Sequence, residues 1–208
     1  DNIDKTDKRH HLLEVAERLF SNHGFEAVSI RQLAAEAGVN LAMVSYYFGS
    51  KEGLFQELIH YKLPKTRDIL EELKTSSLHP WEKMTRTIDM YVDKFFQGRA
   101  FHRMIMREIS LQQRPENVDL IKSYMNQNLE LIRGFILEGQ QKGVFRYVDV
   151  ELTIATLFGT ISGAVNQNSM VCKMLNETDP EEVYSEKNRE RYKQHLKAML
   201  QSHLMGGI

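Results

Sequence analysis

The chain has 208 residues, of which 42% are apolar and 26% charged. That is enough for a real core, in one or two domains. A net charge of −1 excludes a globally basic protein, so any attraction to nucleic acid has to come from locally placed cations. The single cysteine, Cys172, excludes an intrachain disulfide and suits a reducing cytosol. No run of ~18 apolar residues and no signal-peptide pattern occurs. The expectation is a cytoplasmic protein with no membrane partner.

Only four prolines interrupt the chain, and long stretches rich in Leu, Glu, Lys, Gln and Met favour helix. There is no useful period-2 alternation, so an all-α fold is expected. The first helix spans about 6–22, with Leu12, Val15, Ala16, Leu19 and Phe20 at helical spacing, and ends at His23-Gly24. Ser29 offers an N-cap, and Gln32 three residues later completes a capping-box pattern for a short second helix over 30–37. Asn40 caps a third short helix over 41–47. Gly49-Ser50 breaks it, and Ser50 caps a fourth helix from Lys51 to about Lys74. Pro64 should kink or split that helix. A short helix, the turn from Ala37 to Asn40 and a second short helix make a helix-turn-helix pattern. Ser76 to Pro80 reads as a linker. Further helices are expected at about 80–97, 100–113, 115–142, 149–175 and 182–204. The polar stretch from Ser185 to Lys193 reads as a solvated face.

In a helix-turn-helix, the second short helix enters the major groove and presents its N-terminal residues to base edges. Val44 and Phe48 are spaced to face inward, which leaves Leu41, Ala42, Ser45 and Tyr46 outward. Small residues admit the helix deep into the groove, apolar ones meet thymine methyls, and Ser45 hydrogen-bonds a base or phosphate. The Tyr47 hydroxyl suits a phosphate oxygen. Ser50 and Lys51 open a helix, where free N–H groups and the dipole attract anions. Arg31 lies in the first turn of the preceding helix, within reach of a guanine edge or a phosphate. Ser29 offers its hydroxyl to a phosphate. Residues 1–60 nevertheless carry six Lys/Arg against nine Asp/Glu, a net of −3. Affinity therefore relies on a few placed contacts, and a shallow salt dependence is expected.

The run from Val28-Ser29-Ile30-Arg31 to Ala37-Gly38-Val39, followed by Tyr46-Tyr47-Phe48-Gly49-Ser50-Lys51-Glu52-Gly53-Leu54-Phe55, resembles the N-terminal domain of tetracycline-repressor (TetR) type transcription regulators. The upstream run from Ala16 to Phe25 fits as well, so the resemblance covers about residues 8–58. It implies a DNA-binding domain over 1–58 and a helical effector-binding and dimerisation domain over 59–208. It places the DNA contacts on Ser29, Arg31, Leu41, Ala42, Ser45, Tyr46, Tyr47 and Lys51. Ala42, Met43 and Ser45 depart from the family pattern, so the operator sequence does not transfer. The function implied is a homodimeric regulator, with repression the reading, released from palindromic double-stranded DNA by a small-molecule effector. The fourth helix, with its irregularity at Pro64, would act as the lever.

Tyr91, Phe95, His102, Met106, Tyr124, Phe158 and Ser162 are the candidate effector contacts. Arg103, Glu108, Asn166 and Gln167 are further polar candidates. Packing as plain core remains the alternative for the aromatic residues. Gly159, Ser162 and Gly163 permit close helix approach, either between copies of the chain or inside one subunit. The resemblance implies that this helix and the last one pair with their copies. His10-His11 lacks metal-ligand spacing and is expected in the solvated start of the first helix. Cys172 reads as a buried small residue. There is no Cys/His cluster, GxSxG or Gly-rich phosphate loop, so no metal, cofactor or enzymatic activity is expected. Two other classes stay open: a small-molecule-binding protein or enzyme that retains a non-functional head, and a helical protein–protein adaptor.

Overall fold

Several helices of this chain start where a side chain satisfies backbone groups that the helix leaves free. The computed structural model describes residues 2–166 and 168–206, and the side chains of 7–166 and 169–206. It contains α1 (Asn2–His23), α2 (Ile30–Glu36), α3 (Leu41–Phe48), α4 (Lys51–Lys62), α5 (Pro64–Thr75) and α6 (Pro80–Gln97). These are followed by α7 (Arg99–Leu111), α8 (Pro115–Gln141), α9 (Val150–Asn166), α10 (Asn168–Leu175), a 3-10 turn (Pro180–Tyr184) and α11 (Glu186–Met205). No strand occurs among the described residues, so the fold is all-α as expected. Ser29 Oγ accepts from Gln32 N at 3.1 Å, Asn40 Oδ1 from Ala42 N at 2.9 Å and Ser50 Oγ from Gly53 N at 2.9 Å. Each such cap is worth ~1 kcal/mol. At α6 a complete capping box joins His79 and Glu82, with Pro80 in the first turn.

Two expected helices differ in extent. Pro64 has no N–H, and its ring crowds the carbonyl four residues back, so the fourth helix is two. Leu63 closes α4 by donating to Ile59 O at 3.0 Å, and α5 starts at the proline. Of the helix expected over 149–175, the structure describes α9 up to Asn166 and α10 from Asn168, on either side of Gln167, which lies outside the described residues. At the end of α9, Asn166 Nδ2 donates to Ser162 Oγ at 2.8 Å. The last helix starts at Glu186, because Ser185 caps it and residues 180–184 form the 3-10 turn. There the expected solvated face is half wrong. Asn188 is fully buried, with Nδ2 donating to Glu182 O at 2.7 Å and Glu177 Oε1 at 2.9 Å. Arg189 and Lys193 pair with Asp93 on α6.

By packing, the chain forms two units. Residues 1–65 and 100–124 make the first, and 66–99 and 125–208 the second. In the first, Leu12, Phe20, Leu33, Phe55 and Leu58 close a core that Met104, Ile105 and Ile121 of α7 and α8 complete. The helix-turn-helix segment thus shares its core with a stretch from the middle of the sequence. In the second, α6, α8, α9 and α11 pack around Ile88, Ile132, Phe135, Leu157 and Leu200. The turn after α8 is tight: a Cβ at Gly139 would sit 2.0 Å from the Phe145 ring. Arg146, just beyond, donates from its backbone N to Leu204 O at 2.8 Å and from its guanidinium to Ser202 O and His203 O. It thereby satisfies the C-terminal carbonyls of α11.

Candidate nucleic-acid interface

The turn between α2 and α3 is set by Gly38. Its φ of +62° lies where only glycine is unstrained. Gly38 N donates to Ala35 O at 3.1 Å and Val39 N to Ala34 O at 2.9 Å, the paired bonds of a Schellman ending. The chain turns there, Asn40 caps α3, and α3 runs for eight residues, ~12 Å. Val44 and Phe48 seat one side of α3 in the core of the first unit. The opposite side is uncovered: Leu41 is 41% and Tyr46 75% exposed, and Ala42 and Ser45 are exposed as well. Tyr47 is half-buried, its ring edge-on to Tyr46 at 5.3 Å. The short convex edge left by Leu41, Ala42 and Ser45 suits a groove ~12 Å wide.

A close α3–α4 junction holds this edge. Gly49 takes a φ of +72°, and a Cβ on Gly53 would fall 2.1 Å from Phe48 O, so no larger residue fits at 53 without moving backbone. Ser29 is exposed at the tip of α2, its hydroxyl accepting from Gln32 N. Arg31 is exposed and forms no ion pair or side-chain hydrogen bond among the described residues.

Lys51 is placed differently from the sequence expectation of a charge held out to a phosphate. It is half-buried, and its ammonium donates to Phe25 O at 3.0 Å and Val28 O at 3.1 Å and lies 4.2 Å from the centre of the Phe25 ring. Two of its three donors are thus spent on the loop before α2, which leaves one. Nothing local in the sequence signals this, because the acceptors lie more than 20 residues upstream. Other cations of the head are also engaged: Arg9 pairs with Glu57 and Arg18 with Glu36.

The expected effector contacts fall in both units. Tyr91, Phe95 and Phe158 meet in the second, with Tyr91 edge-on to Phe158 at 4.7 Å and 87°. Burial pushes the Tyr91 phenol well above its ordinary range, against a hydrogen bond with Asn128 that acts the other way. Ser162 lies one turn beyond Phe158, half-buried. His102, Met106 and Tyr124 belong to the first unit, where the Tyr124 hydroxyl meets His60 Nδ1 at 2.8 Å. Of the further polar candidates, Gln167 lies outside the described residues.

A cleft of about 510 Å³ between α5 and α8 in the second unit is lined by Arg67, Glu71, Lys74, Gln127, Glu130, Leu131, Gly134, Phe135 and Glu138. It contains none of the seven effector candidates. Its charges are already paired: Glu71 with Arg67 and Lys74, and Glu138 with Lys142 and buried Lys83. The Lys142 and Lys83 hydrogen bonds hold the Glu138 carboxyl below its ordinary range. His10 is half-buried and stacks on Tyr61 at 5.2 Å instead of standing in solvent. Cys172 is buried, its Sγ donating to Glu177 O at 3.1 Å.

Residues 12–58 match the family described as "Bacterial regulatory proteins, tetR family", and residues 80–200 match "Tetracyclin repressor-like, C-terminal domain". The chain is 26% identical over 149 residues to the uncharacterized HTH-type transcriptional regulator YerO of Bacillus subtilis, a match covering 68% of this chain and 50% of YerO. It is also 26% identical over 140 residues to the HTH-type transcriptional repressor NicS of Pseudomonas putida, covering 66% of each. The match thus spans half to two thirds of these relatives. Among solved structures, the fold is similar to that of the ketosteroid transcriptional regulator KstR2 of Mycobacterium tuberculosis. The TM-score is 0.74 at 19% identity, over 95% of this chain and 94% of that one. It is also similar to that of the TetR family transcriptional regulator PfmR from Thermus thermophilus, with a TM-score of 0.72 at 23% identity, over 91% and 97%. With a helix-turn-helix whose outward face is uncovered and family matches over both parts of the sequence, the chain belongs to the TetR family of bacterial regulatory proteins.

Proposed function

We propose that the chain is a transcription repressor that binds a palindromic DNA operator as a homodimer and leaves it when a small-molecule effector binds the helical C-terminal region. The observation that carries this is the uncovered face of α3, a rod of small and aromatic side chains on a glycine-set turn. Leu41, Ala42, Ser45 and Tyr46 would meet base edges, and Ser29, Arg31, Tyr47 and the remaining Lys51 donor would meet the backbone. Two copies related by a two-fold axis would set their recognition helices ~34–36 Å apart, one turn of DNA. The dimer reading draws support from α9. Leu152 is 66% exposed, and a Cβ added at Gly159 or Gly163 would meet open space within this chain. The small residues there are thus not explained by packing inside one subunit. Exposed Met170 and Met174 on α10 extend the uncovered apolar surface, whereas the outward face of α11 is mostly polar.

Release requires the effector to bind the released conformation more tightly than the DNA-bound one. Selection of genomic fragments from the host, followed by gel retardation of the enriched duplex against a random duplex of equal length, tests the reading. Retention of one palindromic fragment over the random duplex is expected. Equal retention of both at low salt would overturn it.

A further inference from the structure

We infer that Arg114 is a positioning residue for the DNA-binding face, holding the loop of residues 24–28 in the conformation that presents Ser29 and Arg31. This role rests on the repressor reading above. Arg114 lies between α7 and α8, in the same packing unit as the helix-turn-helix. Its Nε and Nη2 both bond the Glu108 carboxylate, Nε to Oε1 at 2.8 Å, and Glu108 is only 4% exposed. A fork of this kind orients the guanidinium plane. Were neutralising Glu108 its only task, the remaining edge and face of the guanidinium would be idle. Instead Nη1 pairs with Glu26, and the plane lies 4.1 Å from the centre of the Phe25 ring.

Phe25 also bears the Lys51 ammonium at 4.2 Å, and Lys51 holds Phe25 O and Val28 O. Arg107 lies beside the loop: a Cβ at Gly24 would come within 3.2 Å of its Nη1. The loop has little hydrogen bonding of its own, with Val28 N to Phe25 O stretched to 3.4 Å. Phe25 and Val28 seat it in the core, the Phe25 ring edge-on to Phe55 at 5.3 Å, and around that anchor it is braced by cations on either side. One comes from the start of α4 and the others from residues 107 and 114. Because Ser29 caps α2 directly after this loop, the placement of the cap and of Arg31 follows the clamp.

The test uses Arg114→Lys and the pair Glu108→Gln with Arg114→Gln in the full chain. Lysine keeps the charge but loses the fork and the planar face. The glutamine pair avoids a stranded buried carboxylate. Amide hydrogen exchange over residues 24–33 should accelerate about tenfold in both, with residues 12–20 unchanged. Affinity for the genomic fragment that the wild-type protein selects should fall about tenfold, and Arg31→Ala should cost less in the Arg114→Lys background than alone. Unchanged exchange over 24–33 refutes the clamp whatever the DNA result. If the wild type binds the fragment and Arg114→Lys binds it equally well, the positioning role alone is refuted. If the wild type retains no preferred fragment, the repressor reading falls and this role falls with it.

Discussion

Tyr46 and Tyr91 are the same residue under opposite constraints. Tyr46 stands 75% exposed on α3, beside Ala42 and Ser45. Tyr91 is 4% exposed on α6, wedged between Phe95 and Phe158 with its hydroxyl toward Asn128. An exposed tyrosine loses the free energy that burial of its ring would return, ~25 cal/mol per Å² of apolar surface. A fold that leaves it out gains nothing from it as a monomer. A buried one needs a partner for its hydroxyl. The difference separates a residue available to a partner from one that holds the subunit together.

The largest effect should come from the backbone junction beneath Tyr46. Gly53→Ala drives a Cβ into Phe48 O and should cost ~3 kcal/mol of stability, read by urea unfolding. A neutral result would mean that the α3 platform is less rigid than the comparison assumes. At alkaline pH the two tyrosines should part. Tyr91 stays protonated in the folded chain while its unfolded counterpart ionises near pH ~10. The unfolded state then binds fewer protons, and stability falls as pH rises above ~10, by up to ~1.4 kcal/mol per pH unit from this group. Tyr91→Phe should flatten that fall in pH-dependent denaturation. Part should persist, because burial also raises the Tyr192 phenol.

Tyr46→Ala should leave unfolding within ~0.5 kcal/mol of wild type but weaken binding to the selected DNA fragment about tenfold, ~1.4 kcal/mol. A large loss of stability would make Tyr46 a structural residue and dissolve the contrast. Gly159→Ala meets open space and removes a helix-interior glycine, so the subunit should gain ~1 kcal/mol, while sedimentation should show a weaker dimer. A dimer of unchanged strength would take α9 out of the interface. Arg31→Ala should have the smallest effect, lowering the slope of log K against log salt by ~1.

Local features of the sequence reach far here. Ser29, Asn40 and Ser50 cap the helices they precede, Gly38 turns the chain, and Val44 and Phe48 face the core. Pro64 divides α4 from α5. The effector candidates were less legible. Aromatic spacing on a helix marks an apolar face but does not say what that face meets, and these seven residues divide between two packing units. The cleft between α5 and α8 is lined by one aromatic residue, Phe135, among charged ones from two helices about 60 residues apart, and no local pattern brings these together.

By itself the sequence determined the all-α class, the helix-turn-helix, most helix ends and the outward face of α3. These follow from backbone caps, φ preferences and helical period, which act within a turn or two of the chain. Only the tertiary structure decided that α7 and the start of α8 share a core with the head. It likewise decided that Lys51 spends its donors on Phe25 and Val28, and that Arg114 joins Glu108 to the loop at Phe25. These contacts join residues far apart in sequence. Their free energy depends on which surfaces meet and how much water leaves, and no local stretch of residues encodes either.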